Sequence, residues 1–189
     1  ESVRTGVDPG WFEARQFALP SRRVTPNSDF EQYARECFPP GANILECAQR
    51  LTERIYTEFK YAPGATDVNT PVETALSQKH GVCQDFAHVQ IACLRSIGLS
   101  ARYVSGYLRT LPPPGKPRLV GADQSHAWLS LYCGGLGWVD LDPTNNCMPG
   151  SEHITIAHGR DYEDVVPVRG VFLGGGSHKI SVSVDVEPF

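Results

Sequence analysis

The sequence predicts an α+β fold in which a buried helix carrying a nucleophile at its N-terminus packs on an antiparallel sheet. Three observations point to it. Phe86, Ala87, Val89, Ile91, Ala92, Cys93, Leu94 and Ile97 leave a helix starting at or just before Cys83 almost no polar face, so it belongs inside a domain. Residues 125–133 and 138–142 alternate in polarity on either side of Gly134-Gly135-Leu136-Gly137, the pattern of an antiparallel hairpin. Ile180 to Val186 alternate as well, as a half-buried strand does. With 189 residues and 41% apolar content, the chain can bury one substantial core.

Taken in order, residues 1–27 are rich in Pro, Gly and Arg and form an irregular lead-in, with the main domain expected over 28–189. Trp11, Phe12 and Phe17 either dock on that domain or meet an upstream one. Ser28-Asp29-Phe30-Glu31 is a capping box, and the helix it opens closes at Pro39-Pro40. Asn43 starts a second helix, whose Leu51, Ile55 and Phe59 form a core-facing stripe. Thr70-Pro71-Val72-Glu73 combines an N-cap, Pro at N1 and Glu at N3, so a short helix leads into Gly81. Between these helices, Tyr61 either approaches the active site or packs at a helix exit. Gly98 ends the buried helix. Ala101 to Leu108 and His153 to Ala157 read as strands, whereas the prolines of Pro112–Pro117 exclude sheet or helix.

Cys83 at a helix tip meets unpaired N–H groups and the positive end of the dipole, which favour thiolate over thiol. His88 is turned roughly 140° round the helix from it and is expected to be structural. The base is better sought at His126. If the hairpin loop has three or five residues, residue 132 pairs with 138 and His126 falls opposite Thr144. Asp142 then lies on the same face one diagonal step away, about 7–8 Å between Cα atoms. Asp140 shares that face, and Asp142-Pro143 is also a turn signal. A thiolate, a histidine and a carboxylate so placed form a Cys83-His126-Asp142 triad.

Gly81-x-Cys83 with Phe86-Ala87, then His126-Ala127-Trp128, then Trp138-x-x-x-Asp142-Pro143-Thr144 resemble the transglutaminase-like core shared by transglutaminases and many bacterial cysteine proteases. Gly-Val-Cys-Gln-Asp-Phe-Ala-His and Gly159-Arg160-Asp161-Tyr162-x-Asp164-Val165 resemble the bacterial branch, over about residues 43–186. The resemblance implies a papain-like/transglutaminase-like cysteine protease core. It also implies acyl transfer through a Cys83 thioester, and it favours Asp142, in an Asp-x-Thr pattern, over Asp140. Hydrolysis of a peptide or isopeptide amide is the leading expectation. Protein-glutamine amine transfer and a noncatalytic peptide-binding module are the alternatives. The Cys83 N–H is the natural oxyanion donor. Trp128 and Trp138 share the histidine face as candidates for a second donor and for substrate contact, with Asp161, Tyr162 and Asp164 as further cleft residues. Family transglutaminases tend to carry Trp after the nucleophile, where this chain has Gln84.

A net charge of −4 and a pI near 5.9, with no basic run, argue against nucleic acid as a partner. No apolar run approaches the ~18–20 residues that span a bilayer. Six cysteines without framework spacing suggest buried thiols in a reducing, cytoplasmic setting. His80, Cys83 and His88 lack paired ligand spacings, so neither metal nor cofactor is expected. The expected partner is a peptide or protein substrate, with an upstream domain of the kind that such bacterial proteins carry.

Overall fold

The computed structural model describes residues 10–110, 124–171, 173–175 and 182–187. Its helices are α1 (Trp11–Ala14), α2 (Ser28–Arg35), α3 (Ile44–Glu58), α4 (Val72–Gln78) and α5 (Cys83–Ser96). Strands β3 (Ala101–Leu108), β4 (Gln124–Tyr132), β5 (Trp138–Leu141) and β6 (His153–Gly159) form an antiparallel sheet in the order β5-β4-β3-β6. Two short strands, β1 (Lys60–Tyr61) and β2 (His80–Gly81), pair in parallel just ahead of α5. This is the predicted α+β architecture, with the helix that begins at Cys83 against the sheet.

The core lies between α5 and one face of that sheet. Phe86, Val89, Ile91, Ala92 and Leu94 of α5 are buried with Ala101 and Tyr103 of β3, Ala127, Leu129 and Leu131 of β4, and Leu141 of β5. Leu51 and Ile55 of α3 and Phe30 and Ala34 of α2 close the core from the helix side. Burying a side chain of this size contributes about 1.5–3 kcal/mol, which explains why α5 tolerates so few polar residues. The hairpin register pairs Tyr132 with Trp138 and Ser130 with Asp140, as the glycine turn requires. A short 3-10 turn, Gly134–Leu136, connects the strands, with Gly134 and Gly137 at positive φ.

The helix caps differ from expectation in two places. Helix α2 is capped by Asn27, whose side chain accepts from the Asp29 and Phe30 N–H groups, so the cap stands one residue before Ser28. At α4 the cap position is Pro71, while the Thr70 hydroxyl is used on Asp67 in the preceding turn. Asn43 caps α3 as expected, accepting from Leu45 and Glu46 N–H groups.

The described part of the lead-in packs on the domain through Ala14, Phe17 and Val24. Arg95, buried at the C-terminal end of α5, donates to the carbonyls of Phe17 (2.8 Å), Ala101 (2.8 Å) and Arg160 (2.6 Å). One side chain thereby joins the lead-in, β3 and the end of β6. The C-terminal expectation is not met over 182–187, which carry no strand although their exposure alternates. Ile180 and Ser181, and the proline-rich stretch 112–117, lie outside the described residues. No helix among the described residues is long and apolar enough to cross a membrane.

Candidate active site

Cys83 is the first residue of α5 and is half-buried. Asp85 fixes the turn before it: its Oδ2 accepts from the Val82 N–H at 2.8 Å and from the Thr66 hydroxyl at 2.7 Å. That carboxylate sits against Gly81, where an added Cβ would lie 2.5 Å from Asp85 Oδ2 and 2.7 Å from its Cβ. Gly81 is therefore required by close approach. The β1–β2 pair, with Ala62 N–H donating to Gly81 O at 2.8 Å, brings Tyr61 beside the same turn.

His126 lies in β4, opposite Gly106 of β3, and is 8% exposed. Its Nε2 is 2.8 Å from Asp142 Oδ2. With Nε2–H committed to the carboxylate, Nδ1 is the nitrogen left for the thiol. Burial disfavours charge on His126, but the bond to Asp142 and the neighbouring Cys83 outweigh it and raise the imidazolium pKa to about 9. Asp142 is fully buried. Desolvation pushes its carboxyl up, yet hydrogen bonds from His126 and His153 hold it well below the usual carboxylate range.

Strand β5 ends at Leu141, and Asp142 turns the chain. Its Oδ1 accepts from the backbone N–H groups of Thr144 (2.9 Å) and Asn145 (3.2 Å), an Asx turn followed by a bridge to Cys147. Its Oδ2 accepts from His126, from Asn145 Nδ2 at 2.7 Å and from His153 Nε2 at 3.0 Å. One oxygen forms the turn and the other meets His126, His153 and Asn145. Nitrogen and oxygen atoms of His126, Asp142 and His153 converge within 4.8 Å, as metal ligands can. His126 Nε2, His153 Nε2 and Asn145 Nδ2 all lie within hydrogen-bond distance of Oδ2, which joins these side chains in one network. His80, Cys83 and His88 do not assemble: His88 is buried, accepts from Tyr162 N–H at 3.2 Å and packs on Tyr103, and burial drives its pKa down to about 3.

The tryptophans stand elsewhere than their strand face suggested. Trp128 is fully buried beneath His126, with ring centroids 5.9 Å apart, and its indole N–H donates to Asp140 Oδ2 at 3.0 Å. That commitment removes it as an oxyanion donor. Trp138 pairs with Tyr132, six residues along β4 from His126, which is about 20 Å at 3.3–3.4 Å per residue. It packs against Phe17, Tyr132 and Arg102 instead. Asp161 is 1% exposed and accepts from the Arg23 and Glu163 N–H groups, both at 2.8 Å, while Asp164 is bound by Arg160. Asp161 thus ties the lead-in to the turn after β6, while Asp164 stands exposed in its pairing with Arg160. Tyr162 is half-buried with its ring edge-on to Tyr103. Burial above all, with Cys83 as a further cause, raises the phenol pKa values of Tyr61 and Tyr103.

His153 and Asn145 are the site residues that sequence reasoning missed. Asn145 follows an Asp-Pro-Thr turn signal and was findable as the closing residue of an Asx turn. His153 opens a strand whose place beside β3 no local pattern reveals. A cleft of about 430 Å³ borders the same turn, lined by Glu46, Gln49, Arg50, Asn146, Cys147 and Met148, and reaches neither Cys83 nor His126. All six cysteines are free thiols.

Residues 31–143 match the transglutaminase-like superfamily. Uncharacterized proteins of Mycobacterium tuberculosis and Mycobacterium bovis are 43% identical over 194 residues covering 100% of this chain, which spans 62% of their length. A protein-glutamine gamma-glutamyltransferase of Pseudomonas aeruginosa is 29% identical over 111 residues, 58% of this chain and 16% of that protein. Among solved structures, a candidate cysteine protease of Cytophaga hutchinsonii superposes with a TM-score of 0.68 at 30% identity, over 82% of this chain and 49% of that one. The periplasmic domain of TgpA from Pseudomonas aeruginosa gives 0.54 at 24% identity, over 75% of this chain and 51% of that one, a likeness of fold.

Proposed function

This chain belongs to the transglutaminase-like superfamily, and we propose that it hydrolyses peptide or isopeptide amides through a thioester on Cys83. The observation that supports the reading is the bond of His126 to the buried Asp142 carboxylate, with Cys83 near enough to favour the charged imidazole. His126 Nδ1 takes the thiol proton, and the thiolate adds to the amide carbonyl carbon. The resulting oxyanion meets the N–H of Cys83 at the helix start, where main-chain donors have no acceptor within the helix. As the C–N bond breaks, the imidazolium returns its proton to the departing amine. Water, deprotonated by His126, then attacks the thioester and releases a carboxylic acid and the free thiol. Asp142 keeps Nε2 protonated, so the lone pair faces the sulfur, and it stabilises the imidazolium between the two steps.

A second reading, in which an amine takes the place of water, is supported by similarity to the Pseudomonas aeruginosa glutamyltransferase. Both share the acyl-enzyme and diverge only at deacylation. The test is to offer glutamine-containing peptides, lysine isopeptides and activated esters, quench in acid and map adducts by mass spectrometry. An acyl group on Cys83, lost in His126→Ala, is expected. Partition of the product between acid and amide in the presence of added amine separates the two readings, and acid should dominate. If no amide or ester acylates Cys83, the enzyme reading falls and a peptide-binding role takes its place.

A further inference from the structure

Asp142 is shared by two imidazoles. His153, the first residue of β6, directs Nε2 at the same Oδ2 that holds His126, and its side chain is only 7% exposed. The edge of the ring is fixed against Trp128, with centroids 5.3 Å apart at 83°. Its other nitrogen, Nδ1, is buried and has no hydrogen-bond partner among the described residues. An unmet buried N–H is rarer in folded proteins than an unmet acceptor. The proton therefore sits on Nε2, facing the carboxylate, and Nδ1 is bare. A second donor on Oδ2 has a chemical effect, because each N–H it accepts lowers the negative potential that the carboxylate presents to its other partners.

We propose that His153 is a positioning residue for the reaction: its Nε2–H fixes Oδ2 and tempers the carboxylate, so that Asp142 orients His126 yet leaves its proton free to pass to the leaving amine. This rests on the reading of Cys83, His126 and Asp142 as the reacting set. The charged and titratable groups around the network are few. His126 faces Cys83 from α5 and Asp142 from the turn. Asp142 faces His126, His153, Asn145 and, more distantly, the Cys147 thiol. Glu152, next to His153, is paired with Arg109, and Asp140 is occupied by Trp128 and Ser130. Asn145 supplies a third donor but belongs to the Asp142 turn, whereas His153 arrives from β6 and ties the position of Asp142 to the sheet edge.

Two substitutions separate donor from bulk. His153→Phe keeps an aromatic ring against Trp128 and removes the N–H; His153→Gln places an amide N–H where Nε2–H stands. Nitrogen-resolved NMR titration of the histidine rings in the whole chain, assigned through His126→Gln and these variants, reads both His153 tautomer and His126 protonation without any substrate. The Nε2–H tautomer is expected at His153. In His153→Phe the His126 midpoint should rise by about one unit and return in His153→Gln. Turnover of an amide should fall about tenfold in the Phe variant and recover in the Gln variant, while an activated ester, needing little proton donation, is spared. A proton on Nδ1 of His153, or an unmoved His126 midpoint in a folded His153→Phe, overturns the proposal. If the Phe variant does not fold, the wild-type tautomer decides. Because the titration needs no activity, failure of the hydrolase reading would show separately, as a missing acyl-enzyme with the tautomer intact.

Discussion

Asp140 and Asp142 stand two residues apart in one stretch of chain and do different work. Asp140 lies within the β5 ladder, opposite Ser130, and accepts from the Ser130 hydroxyl and the Trp128 indole. Asp142 lies one residue past the strand, where Pro143 cannot continue the ladder. Its Oδ1 is consumed by backbone N–H groups of the turn, its Oδ2 by His126, His153 and Asn145. The same side chain on the same strand face thus becomes a packing clamp inside the ladder and the shared acceptor of two histidines beyond its end. Full burial of Asp142 works against its charge, and the five donors outweigh it and hold the carboxylate ionised.

That contrast sets the predicted order of effects. Asp142→Asn should lower kcat by about 10²–10⁴-fold, because an amide cannot stabilise the imidazolium and admits the wrong tautomer; steady-state kinetics on the best amide substrate will read it. The same exchange should change the pH dependence of stability. His126 titrates near 9 in the folded chain against about 6.5 unfolded, so its contribution is fully present below pH 6.5 and is lost as pH rises through 9. Thermal melts from pH 6 to 10 should show that decline in the wild type, about 2–3 kcal/mol, and little of it in Asp142→Asn. Gly106→Ala comes next. Its Cβ would fall well inside contact with Ile154 O and 2.6 Å from the Trp128 ring, at the bulge where β3 meets β6. A loss of about 1–3 kcal/mol is expected, with the His153–Asp142 bond disturbed, read by denaturant unfolding and by the His153 ring signals. The smallest effect belongs to Asp140→Asn: about 1–2 kcal/mol of stability and less than about threefold in kcat. Equal kinetic losses at 140 and 142 would erase the distinction.

Much of this pair was legible in the chain. The glycine turn fixed residue 132 against 138, and from that register Asp142 fell one step from His126. The buried helix from Cys83 followed from its apolar sequence, and His88, turned away from Cys83 by helical angle, is the buried, hydrogen-bonded histidine expected of it. Asp142 was read as either a turn opener or a base partner; its Oδ1 opens the turn and its Oδ2 meets His126. Other features resisted for physical reasons. Alternation gives the face of a strand but not the height of a residue along it, so Trp138 was credited with a site six residues away. Burial of Trp128 followed from Gly106, which leaves room for the indole on a neighbouring strand. His153 reaches Asp142 only because β6 lies beside β3 at the sheet edge, an order that no local spacing encodes. At α2, Asn27 and Ser28 are both good caps, and the choice turned on one backbone step.

The most direct measurement is the pH dependence of iodoacetamide alkylation of the native chain, with peptide mapping over the six cysteines, in the wild type, Asp140→Asn and Asp142→Asn. Cys83 should react selectively and faster than the other five cysteines. Asp140→Asn should leave that profile in place, and Asp142→Asn should slow Cys83 toward the rate of the others. Alkylation of Cys83 no faster than that of the other five cysteines, or profiles that shift alike in the two variants, would contradict a thiol activated through His126 and Asp142.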